Sequence, residues 1–304
     1  MVFSVFGLTG CEEFDEQDDF TPTEGIDYQL VEDSYAVVTV YQGTEPQIII
    51  ADEYMGLPVT TIEEGAFLEC DFITSIATGN EVTTIYDYAF SGCDNLAVLV
   101  LGNKVMTIRS SNFSGCNSLT NIEVSKDNPH YTSIDGNLYS KDGKTFVRYA
   151  TGKKDTSFEI SETVTTIGAD AFYACKNLTG VVIPTSVTAI GQSAFSHSSL
   201  TSVVIPESVT TISSYAFFGC ESLVNVVISD SVTNIDHRTF MDCTSLTSVV
   251  IPDSVTSIDS DVFLGCESLT DVYYTGSEEE WAKLNIASGN TNLTDATIHY
   301  NYAP

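Results

Sequence analysis

One aromatic position recurs along this chain at nearly fixed intervals, and that recurrence restricts the fold more than any other feature. Phe67, Phe90, Phe113, Phe172, Phe195, Phe217, Phe240 and Phe263 are separated by 23, 23, 59, 23, 22, 23 and 23 residues, most of them preceded by Ala. A unit of this length cannot bury a core alone, so successive units must stack and cover one another. The 304 residues therefore read as one repeat array and not as two ordinary domains.

Each unit has the pattern Leu-x-x-Val-x-Ile-Pro-x-x-Val-Thr-x-Ile-x-x-x-Ala-Phe-x-x-Cys, clear in residues 200–221 and 246–267. Leu246, Val249 and Ile251 point to one side of an extended segment, and Pro252, which cannot donate to a ladder, closes it. Val255 and Ile258 continue inward on the return path. Phe263 and Cys266 then fall on a short helical turn that brings the chain back to the next Leu.

The Ile-Pro-x-x-Val-Thr-x-Ile and Ala-Phe-x-x-Cys segments resemble the BspA-like leucine-rich repeat family, from about Gly25 to Pro304. The resemblance implies a leucine-rich repeat solenoid, mostly β with short helical turns, one strand per coil lining a parallel concave sheet. It also implies a surface or secreted bacterial molecule associated with adhesion, and it supplies neither a single ligand nor a catalytic residue.

On this pattern residues 57–268 are the repeats, capped at both ends. Residues 26–56 form an N-terminal β cap, in which Tyr28 to Val31 and Ala36 to Tyr41 make a hairpin leading to Ile48 to Ile50. Residues 269–304 form a C-terminal cap, with Ser277-Glu278-Glu279-Glu280 as a capping box before Trp281 and Leu284, and Ala296, Ile298, Tyr300 and Tyr302 alternating as a last strand. Exposed sheet edges invite aggregation, which gives both caps a purpose. The 59-residue gap holds a β-hairpin insertion near 125–160, with turn signals at Asp135-Gly136 and Lys141-Asp142-Gly143-Lys144.

Before the array, Leu8-Thr9-Gly10-Cys11 follows a short apolar stretch and resembles the lipobox of bacterial lipoproteins. Residues 1–11 are then a signal, Cys11 is the lipidation site, and residues 12–25 form an acidic tether. The expected location is the bacterial cell surface, lipid-anchored, with secretion as the alternative.

Forty-two acids against eleven bases give a net charge of −31, which disfavours nucleic acid and anionic lipid headgroups. Seven cysteines, at 70, 93, 116, 175, 220, 243 and 266, hold equivalent places in the coils and read as small buried free thiols. No Cys-x-x-Cys, EF-hand loop, Gly-x-Ser-x-Gly or phosphate loop occurs, and the four histidines have no paired spacing. No metal, cofactor or catalytic group is expected.

The reading is a non-enzymatic binding protein for an extracellular protein or glycan. The alternatives are a self-associating structural envelope protein and, third, a carbohydrate-active enzyme. Two surfaces are candidates. One is the row of outward strand positions Ala77, Val100, Glu123, Val182, Val204, Val227, Val250 and Tyr273, beside a polar row that includes Asp271. Val suits any pleated surface, so β propensity alone is the competing explanation. The other is the basic insert with Lys126, Lys141, Lys144, Arg148, Lys153 and Lys154, about +2 over residues 126–155, where pairing with nearby carboxylates is the competing explanation.

Overall fold

The computed structural model describes residues 22–303. Cys11 and most of the acidic tether lie outside the described residues. The chain forms β-solenoid coils with very little helix, in two compact units. Of the described residues, one unit holds those through Cys116 together with Val124–Pro129; the other holds Asn117–Glu123 and those from His130 on.

In the first unit the hairpin Ile26–Val31 with Tyr35–Tyr41 pairs antiparallel, and Tyr35–Tyr41 continues in parallel with Leu57–Ile62. From there two ladders run through successive coils. Thr61, Thr84 and Thr107 are in register on one; Ile48, Ile76 and Leu99 are in register on the other.

The second unit begins with the insert. Tyr131–Ile134, Asn137–Ser140 and Thr145–Arg148 form a three-stranded antiparallel meander, and Thr145–Arg148 then pairs in parallel with Thr166–Ile167. The insert thus covers the first coil of this unit. Its Phe146 ring stacks on Phe172 at 4.7 Å, and the stack continues through Phe195, Phe217, Phe240 and Phe263 at 5.0, 5.2, 5.4 and 5.5 Å. All six rings are fully buried. Offset stacking of this kind adds roughly 0.5–1.5 kcal/mol per pair beyond area burial.

Each coil contributes two strands where sequence reading expected one. The Val-x-Ile segment builds the sheet Ser202–Val204, Asn225–Val227, Ser248–Ile251, Asp271–Tyr274 and Thr297–His299. The Val-Thr-x-Ile segment builds a second, two-residue-wide ladder, for example Thr166–Ile167, Ala189–Ile190 and Thr211–Ile212. Hydroxyls reinforce both: Thr188 and Thr210 donate to the carbonyls of Thr165 and Thr188, and Thr247 and Thr270 to those of Val224 and Thr247.

The return around Phe and Cys is a chain of tight turns, with a 3-10 helix at Ser110–Phe113. The residue before each Cys position is left-handed: Glu69, Gly92, Gly115, Ala174, His197, Gly219, Asp242 and Gly265 all have φ between +56° and +77°. Glycine accepts that conformation without steric cost and the other residues do not.

At the C-terminal end Ser277 and Glu280 form the expected capping box on helix Glu278–Trp281. The last strand is shorter than the alternation suggested, Thr297–His299, because Asn301 turns left-handed at φ 54°. Asn290 ends the array: its Oδ1 accepts from the Phe263 N–H at 3.0 Å, a donor that in earlier coils bonds a carbonyl of the next coil. In the first unit Asn112 stands where most coils have Ala and accepts from the Ala89 N–H at 2.7 Å.

Candidate functional site

Strand alternation sets what the second unit shows to solvent. Val181, Val203, Val226, Val249 and Val272 are buried inside the coils, so their neighbours face out. Val182 is 57% exposed, Val204 72% and Val227 36%; Val250 and Tyr273 are half-buried. Val204, Val227, Val250 and Tyr273 are register partners in consecutive coils, and the row continues to His299. Ser202, Asn225, Ser248 and Asp271 form the parallel polar row.

The most exposed valines flank a lapse in the ladder. Gly180–Val182 pairs with Ser157–Glu159, while Ser202–Val204 begins the next sheet, with no strand pairing between the two. The coil from Phe195 to Phe217 is one residue short, 22 against the usual 23. The missing residue lies just after the Cys position, where Ser198 stands in place of the repeat Cys. Ser198 is buried and its Oγ lies 3.4 Å from Cys220 Sγ. Sequence reading did not place Ser198 in the cysteine ladder.

At its far end the row becomes aromatic. Tyr273 stacks on His299 at 4.7 Å and packs against Tyr302 at 4.7 Å. His299 Nε2 lies 2.7 Å from Asp271 Oδ1, and bonds from His299 and Thr270 hold the Asp271 carboxyl below the usual carboxylate range. His299 was missed in the sequence because the last coil is lengthened to 26 residues. Aligning Thr297-Ile298-His299 with Asp271-Val272-Tyr273 reveals it.

Other members of the expected rows differ. Val100, in the first unit, is 3% exposed and presents no surface, which corrects its placement on the outward row. Ala77, also in the first unit, is half-buried. Glu123 is half-buried and accepts a hydrogen bond from Asn121 Nδ2 at 2.7 Å; burial pushes its carboxyl up.

The basic set does not form one patch. Arg148 is 1% exposed, and its guanidinium donates to the carbonyls of Asp170 at 2.6 Å and Tyr173 at 3.3 Å. It holds two turns of the next coil and is not a surface contact, a correction that follows from the alternation on Thr145–Arg148. Lys153 is half-buried, donates to the Asp135 carbonyl and lies over the Tyr149 ring; burial lowers its ammonium. Lys141, Lys144 and Lys154 are exposed in the second unit, while Lys126 belongs to the first.

The described cysteines are all buried and unbridged. Burial pushes the thiols of Cys175 and Cys266 up to about 12 and that of Cys220 to about 11. Among the described residues no group of three or more His, Cys, Asp or Glu is placed to hold a metal ion. No described helix is long and apolar enough to cross a membrane.

Comparison with known proteins agrees with this architecture. A leucine-rich repeat protein from Eubacterium ventriosum is similar over 84% of each chain, at 22% identity and a TM-score of 0.61. One from Bacteroides ovatus is similar over 93% of this chain and 71% of its own, at 25% identity and a TM-score of 0.60. A leucine rich cell surface protein from Faecalibacterium prausnitzii aligns over 90% of this chain and 99% of its own, at 21% identity and a TM-score of 0.52. No curated protein sequence matches the chain. The model of the BspA type leucine rich repeat region matches in six copies over residues 53–143 and 144–270. With most of its coils matched, the chain belongs to the BspA type leucine-rich repeat family.

Proposed function

We propose that this is a non-enzymatic binding protein of the bacterial cell surface, and that the sheet face of its second unit takes an extracellular protein. The observation that carries the reading is the exposure of Val182, Val204 and Val227 on strands whose alternate residues are fully committed to the core. A regular sheet gains nothing from large apolar side chains left in water, whereas an apolar strip beside a polar row is the usual anatomy of a recognition surface. The similarity to a leucine rich cell surface protein supports the surface location. Cys11 is proposed as the lipid anchor, and secretion without it is the alternative.

The test is an array of extracellular-matrix proteins and glycans probed with the full chain and with Val204→Asp/Val227→Asp. The parent should retain at least one protein and the double variant should lose it with its circular dichroism unchanged. Equal binding by both would remove the valine face from the account. Light scattering of the same samples identifies self-association if the retained partner is a second copy of the chain.

A further inference from the structure

The charge around the valine row says what kind of protein fits it. We infer that the partner is a cationic polypeptide, one that presents apolar side chains between lysines or arginines. This rests on the valine face being the binding surface.

From residue 177 to 282 the chain has thirteen acids and one base, Arg238. That base is already tied to Asp261 at 3.3 Å. Several of the acids have fixed places beside the row. In three consecutive coils the strand runs into the same turn, closed by bonds from Val209 N to Pro206 O, Val232 N to Ser229 O and Val255 N to Pro252 O. Glu207, Asp230 and Asp253 each follow the first residue of that turn, three residues after Val204, Val227 and Val250. All three are exposed.

The strands before them are in register, so these carboxylates repeat once per coil, about 4.8 Å apart. That spacing is inside the Debye length of roughly 8 Å at physiological ionic strength, so their potentials add. On the opposite margin Glu221 and Glu267 precede the strands and are also exposed. Val204, Val227 and Val250 therefore line one continuous acidic margin on an ordered scaffold, and Glu221 and Glu267 add acidic points on the other side of the row. Stacked like charges oppose folding, and a partner's cations relieve that repulsion. The valines supply short-range attraction, while these acids reject acidic partners and accelerate the approach of basic ones.

The experiment measures fluorescence anisotropy of a labelled nine-residue peptide, Lys-Lys-Val-Thr-Val-Thr-Val-Lys-Lys, titrated with the full chain. Two control peptides replace its lysines by Glu or its valines by Ser. The lysine-valine peptide should bind. The Glu version should not, and the Ser version should bind at least about tenfold more weakly, as expected when charge and apolar contact both contribute. Glu207→Gln/Asp230→Asn/Asp253→Asn should weaken binding at least about tenfold. Glu32→Gln/Glu45→Gln/Glu53→Gln, an equal loss of charge in the first unit, should leave it unchanged. The inference is overturned if no lysine peptide binds, if the rim variant binds like the parent, or if both triple variants weaken alike. If it falls while Val204→Asp/Val227→Asp still abolishes an array partner, the binding face stands and only the partner's chemistry was wrong.

Discussion

The thiol of Cys243 lies 3.2 Å from the carbonyl oxygen of Phe217, one coil earlier, and donates its S–H to it. Cys266 does the same to Phe240 at 3.1 Å, Cys220 to Phe195 at 3.1 Å and Cys93 to Phe67 at 3.1 Å. The repeat cysteines therefore join coil to coil by a weak hydrogen bond as well as by packing. A hydroxyl at the same place can keep the bond, and Ser198 shows that the fold admits one. Cys243→Ser should cost only about 1 kcal/mol. Cys243→Leu should cost roughly 1–3 kcal/mol by overpacking a full core. Urea unfolding midpoints of the two variants check the order.

Alkaline pH should weaken the array. The buried thiols of Cys175, Cys220 and Cys266 lie at about 12, 11 and 12 in the folded chain against an ordinary 9.0. Between those values the folded state holds more protons than the unfolded one, so stability falls as pH rises. Their contribution is complete below about pH 9 and disappears as pH climbs to about 12. Melting temperatures should be flat from pH 7 to 8.5 and decline above pH 9. In the flat range native thiols should resist alkylation and denatured ones should react.

The left-handed position before Cys offers a stabilising change. Ala174 sits there at φ 56° with a side chain that conformation penalises. Ala174→Gly should raise stability by about 0.5–1 kcal/mol, the relief of the left-handed strain less the flexibility Gly adds to the unfolded chain. Gly265→Ala is the converse, because φ is +76° and a Cβ there would press against the Asp242 carboxylate. Chemical denaturation of both should give opposite signs.

Asn290 has a role no neighbouring residue shares. Its Nδ2 also bonds the carbonyls of Asp259 at 2.8 Å and Ala287 at 3.0 Å. Asn290→Leu would leave the buried Phe263 N–H and two carbonyls without those partners, a loss of roughly 2–3 kcal/mol or more. Hydrogen exchange should speed up first at Phe263 and the last coils, while the insert end of the same unit stays protected.

Periodicity made much of this architecture legible. A 23-residue spacing of Phe, Leu, Val and Ile identifies the coils, and Asp135-Gly136 marks a turn whose two residues are both left-handed. What local pattern could not show was the second strand of each coil, only two residues long, and the inward side chain of Arg148. Arg148 looked like surface charge because its partners are backbone carbonyls, which leave no mark in the sequence. His299 and Ser198 were hidden by a coil three residues longer and one a residue shorter than the usual 23. Val100 was placed outward by the same rule that works for Val204, and it is buried. The alternation sets direction, while exposure depends on what else packs over the strand.

If the outward valines of the second unit meet the partner, valine methyl spectroscopy reads that contact directly. In chain labelled at its valine methyl groups, the array-selected partner should shift and broaden Val182, Val204, Val227 and Val250. The alternate residues Val203, Val226 and Val249, on the same strands but inside the coils, should change far less. If the outward methyls stay in place while resonances near Lys141, Lys144 and Lys154 move, the partner binds the insert and the account of the valine face is wrong.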